Sequence, residues 1–370
     1  GDGVEEAKLS DRLQEIAASG SWFVLNADRT SFFRVNYTPA QWKCLFEAIS
    51  SPQTSDQAAG LSPADRQALV SDAFALVRAD RLPVATALDL AVAVGKHEAD
   101  LGVWDELIDD LFMLMDLYSG ADFFPRFQVA VTQVCSEIRQ RIDWVPEPGE
   151  PKRVATIRPR LIGLLSRAGD QKVIAKALDL FSSHVADPAG NPLNADIRQT
   201  LFKISVRYGG EEAYEQMLNI YNTSTFPEEK RNALIALGAA DNESLLQRSL
   251  AMALSGEVRN QDVFYPFMAI AASVKGASFL WSTAKPQWND LYEKFGTLTT
   301  TWPYIVSSMI GGPYTEKKLT EITEFFADGS KKLGCAQAKY NQAFEKLKSK
   351  VAQLGRDEKA VITWLDVNFP

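Results

Sequence analysis

Ser62-Pro63-Ala64-Asp65-Arg66-Gln67-Ala68-Leu69-Val70-Ser71-Asp72-Ala73-Phe74-Ala75-Leu76-Val77 decides the fold class. It opens with a hydroxyl side chain suited to an N-cap and a proline at the first helical position, where no intrahelical N–H is needed. Leu69, Ala73, Leu76 and Val77 then recur at helical spacing and give one apolar face. The same grammar appears upstream at Thr38-Pro39, followed by Trp42, Leu45, Phe46 and Ile49. Downstream, stripes follow one another with short polar breaks. Pro146 to Pro151 and Asp187 to Asn194 read as loops, Gly209-Gly210 ends one stripe and Gly256 another. The periodicity predicts about sixteen to eighteen short helices. Helix pairs in such succession, with no strict repeat length, suggest an all-α chain built as a HEAT-like α-solenoid, a superhelical bowl with a concave face.

One segment breaks the pattern. Ser21-Trp22-Phe23-Val24-Leu25-Asn26 and Phe32-Phe33-Arg34-Val35-Asn36-Tyr37 are rich in aromatic and β-branched residues around a polar Ala-Asp-Arg-Thr turn. This predicts a β-hairpin. A lone hairpin is marginal in water, and no later segment offers strands, so its partner sheet is expected outside the chain. The expected organisation is therefore a variable leader over 1–20, the hairpin over 21–37 and a helical domain over 38–370.

Composition narrows function by exclusion. The chain has 370 residues, of which 46% are hydrophobic and 23% charged, as expected of a globular protein. Its 39 Lys and Arg against 47 Asp and Glu leave a net charge of −8, a poor match to nucleic acid. No apolar run approaches the roughly 20 residues of a membrane span, and the first residues do not form a signal peptide, so neither nucleic acid nor membrane is an expected partner. Cys44, Cys135 and Cys335 are an odd set and read as buried or half-buried thiols in a reducing, intracellular setting.

Catalytic patterns are equally sparse. The only histidines are His97 and His184, far apart in sequence. Lys96-His97-Glu98-Ala99-Asp100-Leu101 begins like a zinc-peptidase helix, but Leu101 stands where the second histidine would be needed. No Gly-x-Ser-x-Gly elbow and no phosphate-cradling loop occurs. The paired carboxylates Asp109-Asp110 and Glu228-Glu229 read as solvated faces. Neither a catalytic residue nor a metal ligand is expected in this chain.

Several ordered segments nonetheless resemble one family, the M1 zinc aminopeptidases, in their C-terminal helical domain. Trp22 and Asn26 with Phe33-Arg34-Val35-Asn36-Tyr37 resemble the family's entry signature. Asp65-Arg66 with Asp72-Ala73-Phe74 resembles its next helix, and Ala87 to Leu90, His97-Glu98 and Trp104 the helix pair after it. Later, Asp241-Asn242 to Leu250, Val258-Arg259-Asn260-Gln261-Asp262, Trp281, Trp288-Asn289-Asp290-Leu291 and Phe325-Phe326 follow in family order. The Val258–Asp262 stretch most resembles the puromycin-sensitive and fungal alanine/arginine aminopeptidase branch.

The resemblance implies a good deal. The hairpin would be the end of an upstream β-sandwich domain. Zinc, absent from this chain's own motifs, would be held in an upstream catalytic domain, and peptides would be the substrates. The helical domain would gate access to the zinc and contact the substrate beyond the scissile bond. Gln261, whose amide both donates and accepts, is the leading substrate-facing residue, with Arg259 and Asp262 beside it. Those two have a local alternative: they can pair with each other, or Asp262 can cap the following helix. Trp22, Phe33, Tyr37, Trp281, Trp288, Phe325 and Phe326 would pack the core, and Arg66 and Asp72 would make interhelical or capping contacts. A cytoplasmic location follows the same branch. The competing function is a non-catalytic HEAT-like scaffold that binds proteins on its concave face.

Overall fold

A computed structural model describes residues 11–50, 60–327 and 329–370. Of the leader expected over 1–20, the first ten residues lie outside that range. Nineteen α-helices occur among the described residues. The first seven are α1 (Asp11–Ala18), α2 (Pro39–Ser50), α3 (Pro63–Arg78), α4 (Val84–His97), α5 (Leu101–Tyr118), α6 (Phe124–Val134) and α7 (Ser136–Arg141). The next six are α8 (Lys152–Arg167), α9 (Gln171–Ala186), α10 (Ala195–Tyr208), α11 (Gly210–Thr223), α12 (Pro227–Leu237) and α13 (Glu243–Ser255). The last six are α14 (Phe264–Ile270), α15 (Val274–Ala284), α16 (Trp288–Phe295), α17 (Trp302–Ile310), α18 (Glu316–Phe326) and α19 (Gln337–Asn368). The chain forms two compact units: residues up to Phe112 with Ala130–Asp143 and Lys359–Pro370, and Met113–Val129 with Trp144–Glu358.

The helix boundaries follow from local chemistry. Ser62 caps α3 by accepting from the Asp65 N–H, with Pro63 next to it. Gly256 closes α13 in the left-handed region at φ 99°. Asn242, Ser273 and Thr315 cap α13, α15 and α18 through their side chains.

The expected β-hairpin does not form; no strand occurs among the described residues. Residues 21–26 and 32–37 are irregular and joined by a 3-10 turn over Ala27–Arg29. The physical reason is where the backbone groups go. Asn26, at φ 59°, donates to the Ser31 and Phe33 carbonyls and accepts from the Ser31 N–H at 2.8 Å. The Leu25 N–H goes to the Tyr37 hydroxyl, the Asp28 N–H to Asp65 and the Val35 N–H to Asp72. Side chains take the groups that an interstrand ladder would use. The result is a strap pinned on α3. Arg34 completes it with a 2.9 Å ion pair to Asp72, and Asn36 ties it to the Arg81 carbonyl and the Trp42 indole. Tyr37 packs edge-on against Trp42 and Phe23, while Trp22 is half-buried. Phe33 departs from its expected core position: it is 54% exposed beside a fully exposed Phe32, in an irregular strap whose buried residue is Val35.

A buried ion pair organises the first unit. Arg66 and Glu98 meet in a fork, Nε to Oε2 at 2.6 Å and a terminal nitrogen to Oε1 at 2.9 Å. Arg66 also donates to the Leu61 carbonyl, and Glu98 accepts from the Asp100 N–H. The Glu98 carbonyl receives the Trp104 indole and Arg141. Gly95 lets α4 approach α6, since a Cβ there would sit 2.7 Å from the Val134 carbonyl oxygen.

In the second unit α8, α10, α12, α14 and α17 pack side by side in that order. Alongside them α9, α11, α13 and α15 pack as their sequence neighbours. Arg158, 1% exposed, holds Glu150 and so pins the proline-rich loop before α8. The end of this unit is built on rings. Trp288 packs edge-on against Trp302, Phe325 and Phe326, and Trp281 against Phe325. The Trp288 and Trp302 indoles donate to the Lys332 and Leu333 carbonyls.

Lys318 is buried beside this cluster, its Nζ 4.0 Å from the Trp281 ring centroid and 3.0 Å from the Met309 carbonyl oxygen. Burial drives its pKa down to about 7; Glu321 opposes the shift and Lys285 adds to it.

Two outcomes follow. Arg66→Met leaves Glu98 buried and unpaired and costs about 3–5 kcal/mol in urea unfolding, while Arg66→Met with Glu98→Leu recovers part of that loss. For Lys318 the folded pKa lies below the unfolded one, so between pH 7 and 10 the unfolded state binds more protons and stability rises with pH. Lys318→Met removes that rise and adds on the order of a few kcal/mol below pH 7, seen as the wild-type minus variant difference in denaturation across pH.

Candidate functional site

The loop between α13 and α14 carries the three substrate-facing candidates of the sequence. Val258 is 1% exposed and anchors it in the core. The Asp262 N–H closes a turn on the Arg259 carbonyl at 2.7 Å. Thr301, also 1% exposed, donates its hydroxyl to the Asn260 carbonyl at 2.9 Å. The loop is thus fixed against the segment that precedes α17.

Between them lies a cavity of about 390 Å³, lined by Arg259, Asn260, Gln261, Leu298 and four threonines at 297 and 299–301. Arg259 and Gln261 therefore come together on one wall. Asp262 does not line it. Its carboxylate takes the Arg259 guanidinium at 2.8 and 2.7 Å, the local pairing open to it in sequence, and it does not cap α14. Arg259 is 68% exposed, so this pair contributes little stability, but it neutralises the cavity's one cation. Tyr221 lies near enough that the Asp262 charge adds to burial in raising its phenol pKa.

What remains in the cavity is neutral and polar. Among the described residues, the side chains of Asn260, Gln261, Thr297, Thr299 and Thr300 make no hydrogen bond. Amides and hydroxyls can each donate and accept, the complement of a peptide's N–H and C=O groups. None of them is a general base or an activated nucleophile. The threonines match no motif, although Thr297-Leu298-Thr299-Thr300-Thr301 is visibly biased.

Other polar expectations resolve differently. His97 is exposed and His184 bonds the Asn191 carbonyl. No three His, Cys, Asp or Glu side chains gather to hold a metal among the described residues. Asp110 is not on a solvated face: it is 3% exposed and paired with Arg78, and burial pushes its carboxyl up to about 7 against the Arg78 contact, which opposes the shift. Cys135 is buried, Cys44 half-buried and Cys335 exposed, in a short turn where only Ala336 faces inward.

Comparison with known proteins agrees with this fold. Residues 22–349 match the ERAP1-like C-terminal domain family, and the chain belongs to it as the C-terminal domain type of M1 aminopeptidases. Among individual relatives, a glutamyl aminopeptidase of Bitis rhinoceros is 26% identical over 94% of this chain and 35% of its own length. A puromycin-sensitive aminopeptidase of Caenorhabditis elegans is 25% identical over 86% of this chain and 34% of its own. An alanine/arginine aminopeptidase of Saccharomyces cerevisiae is 25% identical over 93% and 39%. The chain therefore spans little more than a third of the curated relatives it matches.

Thr301→Val removes the buried hydroxyl that holds the Asn260 carbonyl. It is expected to cost about 1 kcal/mol and to speed amide hydrogen exchange locally at residues 259–262. Exchange read by mass spectrometry checks both the size and the locality of the effect.

Proposed function

We propose that this chain is the substrate-gating, structural C-terminal domain of a zinc aminopeptidase that removes N-terminal residues from peptides. The observation that carries this reading is the match of residues 22–349 to one family, with relatives named as aminopeptidases aligned over most of the chain. Among the described residues no His, Cys, Asp or Glu cluster gathers to hold a metal, and on this reading zinc and its ligands belong to another part of the enzyme, so no bond-breaking step is assigned here. When bound, zinc supplies a polarised water for attack on the peptide carbonyl.

The part given to this chain is binding. Gln261, with Asn260 and the threonines opposite, would hold the backbone of a substrate's distal residues by neutral hydrogen bonds. Arg259, held by Asp262, shapes the wall rather than recruiting anions. The side-by-side helices of the second unit are the packing that a HEAT-like solenoid uses, and a concave face of that kind suits a gate around a peptide. The strap over residues 21–37 would join the helical domain to a preceding β-sandwich domain. The three free thiols fit a cytoplasmic setting, and no helix among the described residues is long and apolar enough to cross a membrane.

The same helix packing supports the competing scaffold reading. Gln261→Ala in the complete enzyme separates them. It is expected to raise KM about three- to tenfold for peptides of several residues and to leave KM for amino-acid amides unchanged, the loss of one or two neutral hydrogen bonds. Equal effects on both substrates remove Gln261 from the binding site. A full-length protein without peptidase activity favours the scaffold.

A further inference from the structure

The second unit holds another polar cluster, on different elements from the cavity. Asp116, near the end of α5, accepts from the Tyr314 hydroxyl at 2.7 Å, from the Lys350 ammonium and from Arg167 at 3.4 Å. Lys350 also donates to the Tyr314 oxygen at 3.0 Å and lies over its ring. Asp116, Tyr314 and Lys350 satisfy one another. Arg167 is left with five donors and this one long contact.

More positive charge stands behind it. The Tyr208 hydroxyl donates to the Ser166 carbonyl at 2.7 Å, which ties the end of α10 to the end of α8. That bond brings Arg207 and Arg167, the next-door residues, to the same place. Their charges bear on each other: after burial, Arg207 is the main influence lowering the Arg167 pKa. Arg207 makes no hydrogen bond or ion pair among the described residues and only lies over the Tyr208 ring. Lys203, one turn earlier on α10, also makes none, and burial lowers its pKa. Lys346 adds its charge one turn before Lys350 on α19. Helix-end dipoles favour a cation in the last turns of α8 and α10, but by about 0.3–1 kcal/mol each, too little to account for this many half-buried charges.

We propose that Arg167, Arg207 and Lys203 form an oxyanion-binding site, in which a carboxylate or phosphate group supplies the negative charge that Asp116 alone does not. Guanidinium groups bind such oxyanions through paired N–H donors. The inference uses only this chain's own cations and stands whether or not the aminopeptidase reading holds.

The test titrates inorganic phosphate into the full-length protein at constant ionic strength, with chloride as the balancing ion. A parallel titration uses a peptide amide carrying two glutamates. Thermal midpoint and tryptophan fluorescence are read in both. A saturable rise of the midpoint is expected with at least one of them, phosphate alone identifying a phosphate ligand and the peptide alone a carboxylate. Lys203→Gln with Arg207→Gln removes no hydrogen bond of the fold and is expected to weaken binding about tenfold, while Arg207→Lys keeps most of it. No response to either anion, or an equal response in the double variant, overturns the proposal.

Discussion

The fork between Arg66 and Glu98 is the interaction on which the first unit depends. Removing two charges from water costs several kcal/mol each, so a pair at this depth is tolerable only when every donor and acceptor is used. Here they are. Glu98 accepts from both sides of the guanidinium and from the Asp100 N–H, and Arg66 reaches back to the Leu61 carbonyl. The backbone carbonyl of the same glutamate then gathers Trp104 and Arg141. One side chain of α3 thereby fixes the turn between α4 and α5 and draws in α7. Apolar residues could fill this volume, but they would not set the register of four segments at once.

The same helix holds the strap. Asp65 and Asp72 lie two turns apart on α3, and each takes a backbone N–H of residues 28–35. The strap's own sequence is apolar and β-branched enough to propose strands. It fails to pair because polar side chains of α3 and of the strap itself reach its backbone first. A sequence reading sees the propensity of residues 21–37 but not the carboxylates that arrive from some 40 positions away.

That contrast describes how much was legible. Capping and periodicity are local, so Ser62-Pro63, the Pro146–Pro151 loop and the Gly256 stop read correctly from sequence. The aromatic positions Trp281, Trp288, Phe325 and Phe326 were recognisable as packing residues because large rings at stripe positions have few other uses. Gln261 and Arg259 were placed by family resemblance rather than by chemistry, and the cavity they line has a threonine wall that resemblance did not mark. Asp110 departs from the solvated face its sequence predicts, because a pair of carboxylates on a helix looks solvated until other residues cover one of them. The Asp116 cluster was invisible: its members are separated by up to 234 residues and form no motif.

How completely polar groups are satisfied separates the two kinds of polar residue in this protein. In the first unit Arg66, Glu98, Asp65 and Asp72 spend their hydrogen bonds on one another and on the backbone, which is the behaviour of groups that specify a fold. In the second unit, among the described residues, the side chains of Asn260, Gln261, Thr297, Thr299 and Thr300 and the cations Lys203 and Arg207 make no such bonds. Groups at these positions keep their hydrogen-bonding capacity only if water or a ligand takes it up. The neutral set has the donors and acceptors that complement a peptide backbone, and the cationic set those that complement an oxyanion.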